Sequence, residues 1–228
     1  MSEEVNEKQA GPSSDSFPLP EGRIINVSAF VKDAYNKQAT PAYKVEVAIP
    51  VDHPGLIELE NKLMDAADEN WGKGAGDAKS LVFPLLEGDK LMRRREKRGK
   101  DGSAYKGMTV IRASTLFNLE GHDAAGGINV YDEDVNVIAP TEQKKLYAGC
   151  KAIVGVAIGF YTKDIEDDDG DPVTVNGLKF YLSAIQKTGD GERIATGSSK
   201  SSLFKPVARP DGDAGGGETR RTRRQARG

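Results

Sequence analysis

Two short runs near the start of the chain alternate apolar and polar positions with a period of two. "RIINVSAFV" (23–31) and "AYKVEVAIP" (42–50) are rich in β-branched residues and flank a polar loop containing Asn36 and Pro41. That pattern predicts an antiparallel strand pair. In the second run Tyr43, Val45, Val47 and Ile49 alternate with Lys44, Glu46 and Ala48, so one face is buried and the other wet. The period then changes. Leu56, Leu59, Leu63, Ala66 and Ala67 fall at helical spacing, with Pro54 near the start and Gly72 just past the end, which predicts a helix. It is the one helix the periodicity supports. Further strands are predicted over 107–115, in a short pair around "INVYD" and "VNVIAP", over 147–163 and over 174–187. About five main strands with one intervening helix predict a mainly β fold, a small five-stranded barrel or sandwich.

The last two long strands carry the most information. Along "CKAIVGVAIGFY", Cys150, Ala152, Val154, Val156, Ile158 and Phe160 share one face, which makes Cys150 a buried structural thiol. The other face holds Lys151, Ile153, Gly155, Ala157, Gly159 and Tyr161, so small residues leave a shallow channel between a cation and an aromatic ring. In the final strand Leu178, Phe180, Leu182 and Ala184 line one side, and Lys179, Tyr181 and Ser183 the other. This surface has two readings. It is an ordinary amphipathic sheet face, or it is a platform on which bases stack while ammonium groups meet phosphates.

Charge changes the picture. The formal net charge is −3, yet "KLMRRREKRGKDGSAYK" (90–106) holds eight Lys or Arg against two acids. The stretch from Gly197 onward has eight Lys or Arg against three acids, so residues 1–196 sum to −8. Segregated charge of this kind builds a local field. Gly99, Asp101 and Gly102 interrupt the run, which predicts a flexible β-loop: either merely solvated, or a phosphate grip made by Arg93, Arg94, Arg95, Lys97, Arg98 and Lys100, followed by Tyr105 and Lys106.

Several chemistries are disfavoured. One cysteine cannot form an internal disulfide, and His53 and His122 have no companion thiols, so neither a zinc site nor any cofactor is expected. An EF-hand loop beginning at Asp164 would need Gly and Glu where Asp169 and Val175 stand. "GKGAGD" (72–77) lacks the phosphate-loop Lys-Ser/Thr and follows a helix. Nothing resembles a carboxylate cluster with a partner lysine, so the chain is not expected to be an enzyme. With no long apolar run and a polar, acidic start, the sequence predicts a cytoplasmic protein with no membrane partner.

The order of segments resembles that of the bacteriophage single-stranded-DNA-binding proteins with an OB fold. The resemblance rests on "AYKVEVAIP" followed by the helix, on "VFPLLEGDK" (82–90), on "KLYAGCKAIVGVAIGFY", and on "GLKFYLSAIQKTGDGERI", and it covers about residues 22–194. Tyr147-Ala148-Gly149-Cys150 is similar to the family's Tyr-Ser-Gly-Cys strand, which implies a structural role and no catalysis. The resemblance implies an OB-fold barrel that coats single-stranded DNA without sequence preference in phage replication or recombination, in the host cytoplasm, with replication or recombination proteins as further partners. Replication-type relatives often end in an acidic tail; this chain ends "RRTRRQARG".

Taken together, these readings predict disordered segments over 1–20 and 197–228 around a binding domain over 21–196. The expected stacking residues are Tyr161, Tyr181 and Tyr105, with Trp71 or Tyr43 as further rings. The expected phosphate contacts are the 93–106 loop with Lys151 and Lys179. About five such contacts imply a log-log salt slope near −3.5. The alternative is a phage structural or interaction module that uses the barrel as a scaffold and the basic tail as an anchor.

Overall fold

The computed structural model describes residues 8–9, 15–34, 40–78, 80–116, 128–166 and 172–194. Its elements in chain order are β1 (Lys8–Gln9), β2 (Phe17–Pro18), β3 (Gly22–Asp33), β4 (Ala42–Pro50), α1 (Pro54–Trp71), β5 (Leu85–Glu87), α2 (Gly88–Glu96), β6 (Met108–Thr115), β7 (Asn129–Tyr131), β8 (Lys151–Glu166) and β9 (Pro172–Gly189). Single 3-10 turns lie at Ser103–Tyr105 and Pro140–Lys145. The chain divides into two compact units, Met1–Thr196 and Gly197–Gly228. The second lies outside the described residues, as does 167–171 in the acidic turn.

Five strands close on themselves. β3 pairs with β4 and β4 with β6, both antiparallel; β6 pairs with β9 in parallel; β9 pairs with β8 and β8 with β3, again antiparallel. This is the mainly β, OB-type ring that the strand pattern predicts. Closure leaves each of the five with two neighbours and few bare edges. Ile24, Val45, Val47, Ile111, Val154 and Leu182 fill the interior, all at 2% exposure or less. Burying a side chain of this kind stabilises by about 1.5–3 kcal/mol. The predicted helix α1 adds Leu56, Leu59, Leu63 and Ala67 to the same core. His53 caps it, Nδ1 accepting the Gly55 amide at 3.1 Å, with Pro54 in the first turn where its missing N–H costs nothing.

Two bulges re-aim side chains that simple alternation misplaces. Between Ile24 and Asn26 the β3–β4 register shifts, leaving Ile25 as an extra residue, so Val27, opposite Val45, returns to the core side with Ile24 while Ile25 joins a second apolar cluster with Ala48, Tyr105 and Val110. In β9, Ala184 pairs with Gly155 and Leu182 with Val156, leaving Ser183 as an extra residue. The face therefore switches after Leu182: Ile185 is fully buried, and Ala184, expected on the inner side, is only half-buried. An extra residue of this kind bends and twists the strand, which helps a five-stranded ring to close.

The largest departure from the sequence reading is the basic run. It is no β-loop: Gly88–Glu96 is helix α2. Leu, Met, Arg, Lys and Glu are good helix formers, and the glycines stand beyond the helix, where they end it. Gly99 has φ +67°. Its amide donates to the Glu96 carbonyl at 2.9 Å, and the Lys100 amide donates to the Arg95 carbonyl at 3.0 Å, which is the Schellman closure. Arg93, Arg94 and Arg95 occupy the last turn, where cations complement the helix dipole.

The expectation of disorder through residue 20 also fails for its last residues. β2 pairs with β8, Leu19 is buried at 3% exposure, and the Phe17 ring meets Phe180 edge-on at 6.3 Å. Of the short strand pair over 128–139, β7 forms, and its partner reduces to a single bridge between Tyr131 and Val137.

Candidate nucleic-acid interface

The outer surface of the ring presents two chemically different regions, one at each end of β6. At one end Ile25, Ala48 and Val110 form an apolar patch on the outside of β3, β4 and β6, and α2 covers it through Leu91 and Met92. Gly88 lets the helix start against the sheet. A Cβ there would collide with the backbone carbonyls of Tyr105 and Met108. So seated, α2 and the turn after it expose Arg93, Arg94, Lys97, Arg98, Lys100 and Lys106, and none of these makes an ion pair among the described residues. The cluster can meet several phosphates at once.

Arg95 is different from its neighbours. Its Nε donates to the Asp101 carbonyl at 2.9 Å, and its guanidinium lies 5.2 Å from the Tyr105 ring centroid. Tyr105 itself is 4% exposed. Burial, then the nearby Glu46 carboxylate, pushes its hydroxyl pKa up. Glu46 is held from the other side by Arg112, whose Nε donates to Oε1 at 2.6 Å. Tyr105 and Arg95 are therefore the fastening of the basic lobe, and Tyr105 has no face left for a base.

At the other end lie Tyr161 and Tyr181. Tyr161 is paired with Gly177 and Tyr181 with Ala157, while Gly159 is paired with Lys179. A Cβ on Gly177 would stand 2.6 Å from Tyr161 Cε1, and one on Gly159 2.9 Å from Tyr181 Cδ2. The Tyr161 ring thus lies over Gly177, and the Cδ2–Cε2 edge of Tyr181 abuts Gly159. The shallow channel expected from the small residues is not empty; the two tyrosine rings occupy it, and Gly159 and Gly177 are buried beneath them. Lys179 Nζ stands 5.1 Å from the Tyr181 ring centroid.

β6 joins the two regions. Val110 lies under α2, and Ser114 pairs with Tyr181 on one side and Lys44 on the other. The four residue steps from one to the other span about 13 Å. Arg112 projects between them with its side chain 53% exposed. The structure thus places α2, Arg112, Lys179, Tyr181 and Tyr161 on one continuous outer face. It does not bring in the other expected residues. Lys151 is ten residues from Tyr161 along β8, about 33 Å away, in a cleft with Gly191 and His53. Trp71 packs edge-on against Phe160 at 5.3 Å, and Tyr43 is 5% exposed in the core. Arg112, Gly159 and Gly177 were not singled out by sequence as site residues. The alternation of "MTVIRAST" places Arg112 on the outer face, but only the strand order sets it beside Lys179 and Tyr181.

The "YAGC" and "TGDGE" motifs meet each other. Tyr147 Oη donates to Asp190 Oδ1 at 3.0 Å, or to the Gly191 carbonyl at 3.1 Å, and accepts the Gly191 amide at 3.2 Å. Gly149, at φ +119°, lies where any side chain would strike Glu192. The Cys150 thiol, fully buried as expected, donates to the Tyr147 carbonyl at 3.0 Å, and burial raises its pKa. Lys187 Nζ reaches Asp190 at 2.7 Å. That hydrogen bond, then the one from Tyr147, holds the Asp190 carboxyl below the usual range, and the same Asp190 contact raises Lys187. These motifs pin the end of β9 to the start of β8. Among the described residues no three His, Cys, Asp or Glu cluster as a metal site, and no helix is long and apolar enough to cross a membrane.

Solved structures share this architecture at low identity. The single-stranded DNA-binding protein of bacteriophage Enc34, in a C-terminally truncated form, matches with TM-score 0.55 and 16% identity over 85% of this chain and 99% of that one. The same protein in complex with ssDNA matches with TM-score 0.54 and 16% identity over 81% and 97%. No curated relative matches the chain. The family described as "Enterobacter phage Enc34, ssDNA-binding protein" matches residues 22–214, and the chain belongs to that family.

Proposed function

We propose that this protein binds single-stranded DNA without sequence preference, as a non-enzymatic coat or organiser of strands during phage DNA replication or recombination in the host cytoplasm. The observation that carries the reading is the outer face of a family member's barrel, on which Tyr161 and Tyr181 share a face with Arg93, Arg94, Lys97, Arg98, Lys100 and Lys106, exposed cations that make no ion pair among the described residues. Rings accept any base, because every base has a π-face, and cations accept any phosphate, so the arrangement has no means of reading sequence. Arg93, Arg94, Lys97, Arg98, Lys100 and Lys106, with Arg112 and Lys179, take the backbone; Tyr161 and Tyr181 take bases. Residues 21–196 act as the binding unit and 197–228 as a basic tail that adds charge. The Enc34 neighbour solved with ssDNA supports the choice of ligand.

The test is anisotropy of a labelled oligo-dT titrated with the full chain at two salt concentrations, beside a duplex of equal length. Preference for the single strand, with affinity falling steeply as salt rises, is the expected result. An absence of salt-dependent binding sinks the reading and favours a scaffold role for the barrel.

A further inference from the structure

Glu46 is an acid in the middle of a face proposed to hold phosphates. It stands on the outer side of β4, between Asn26 of β3 and Arg112 of β6, and borders a cavity of about 390 Å³ that Arg23, Arg95 and Arg193 also line. A carboxylate there repels a phosphate that comes to Arg112, so it opposes the binding around it. Fold stability does not account for it. An ion pair with one partner largely in solvent contributes little, and the Arg112 side chain is 53% exposed. β4 is already paired with β3 on one side and β6 on the other.

What the carboxylate does supply is an orientation. Arg112 is held only at Nε, which donates to Glu46 Oε1 at 2.6 Å; its Nη1 and Nη2 groups make no hydrogen bond among the described residues. The anchor itself is fixed. The Glu46 side chain is 19% exposed, and its Oε2 stands 3.5 Å from the hydroxyl of the buried Tyr105. A guanidinium is planar, so holding it at Nε also sets the direction of the Nη1–Nη2 edge, whose parallel N–H groups match two oxygens of one phosphate. Arg93 and Arg94 on α2 have no ion-pair partner among the described residues, and each gives up side-chain freedom when a phosphate arrives. Arg112 has given it up already.

We infer that Glu46 is a positioning residue of the DNA-binding face: it holds Arg112 by Nε and leaves the Nη edge to take one phosphate of a strand that crosses from α2 to the β8–β9 tyrosines. The inference rests on the proposed single-strand function and extends it to how one of its contacts is prepared. It gives a reason for an acid on a face where charge alone argues against one. A carboxylate holds the guanidinium better than a neutral acceptor, because a charge-assisted hydrogen bond is about twice as strong.

The experiment separates the acceptor from the charge. Glu46→Gln and Glu46→Ala both remove the charge, and only glutamine keeps an oxygen for Nε. Each is made in the full chain, alone and combined with Arg112→Gln, and affinity for oligo-dT is measured at one salt concentration beside the melting temperature. Glu46→Gln is expected to bind as wild type does, the weaker anchor offsetting the lost repulsion. Glu46→Ala is expected to bind about fivefold more weakly than Glu46→Gln, within the range for immobilising one long side chain. With Arg112→Gln present, that difference is expected to vanish. A merely structural Glu46 would shift melting without a difference in affinity that depends on Arg112. Where the alanine variant does not fold, Glu46→Val, a good strand former that also lacks an acceptor, takes its place. Equal affinities in the folded glutamine and alanine variants, tighter binding by alanine, or a difference that survives Arg112→Gln overturns the inference and leaves the single-strand reading standing. A wild-type chain that fails to bind oligo-dT overturns both.

Discussion

The two ends of the outer face treat their tyrosines in opposite ways. Under α2, Tyr105 is sunk beneath an arginine and a methionine-lined helix, and the cations around it are what solvent sees. On β8–β9, Tyr161 and Tyr181 pack against glycines of the neighbouring strand and stay half-exposed on the outer face. One region offers charge and hides its ring; the other offers rings with a single lysine beside them. In the proposed function, backbone grip and base contact are thus divided between two parts of the fold, joined along β6 through Arg112.

That division can be broken by substitution. The largest expected effect is on stability: Tyr105→Ala should cost about 3–5 kcal/mol, as for a buried aromatic, and lower the melting temperature. It should leave the preference for oligo-dT over an abasic strand intact in chains that remain folded. A Tyr105→Ala protein as stable as wild type that loses that preference would erase the contrast. Next, reversing Arg93, Arg94 and Arg98 to Glu should weaken oligo-dT binding by about a hundredfold at 0.1 M salt and flatten the log-log salt slope by about 2, with melting unchanged because all three are exposed. Arg95 is left alone, since it holds Tyr105. An unchanged slope would move the phosphate grip elsewhere.

A smaller effect sharpens the contrast from the seam that supports β8 and β9. The Asp190 carboxyl is held below its ordinary value of 3.8 by Lys187 and Tyr147. Its contribution is therefore complete above that value and disappears as pH falls through the lowered one. Lys187 is raised above 10.5, so its share persists at neutral pH and is lost only as pH climbs past its raised value. Asp190→Asn should lower the melting temperature at pH 7 and converge with wild type in acid well below 3.8. Its salt slope should match wild type, because the proposed phosphate contacts lie elsewhere; a changed slope would tie the seam to the strand.

Some of this was legible in the residues. Alternation in "AYKVEVAIP" and "CKAIVGVAIGFY" assigns inner and outer faces because a strand's period is two and one face must leave water. The spacing of Leu56, Leu59 and Leu63 assigns α1 for the same reason with another period. Tyr161, Tyr181 and Lys179 are on the outer face, as read. What failed is instructive. Gly99 and Gly102 look like interruptions of the basic run, yet a glycine past the end of a helix is a terminator, and the residues before it are strong helix formers. Ser183 and Ile25 shift the alternation because a bulge depends on the partner strand, which local sequence does not contain.

By itself, the sequence determined the strands, the first helix, the buried cysteine and the segregation of charge, since each follows from local periodicity and composition. Only the tertiary structure decided what each tyrosine packs against. Tyr105, Tyr43, Tyr161 and Tyr181 are alike as residues, and their difference arises from what lies across from them: a helix for one, the barrel interior for another, and a glycine on the neighbouring strand for the last two. Contacts of that kind join residues far apart in the chain, such as Glu46 and Tyr105, 59 positions apart, and strand order and closure, not local pattern, bring them together.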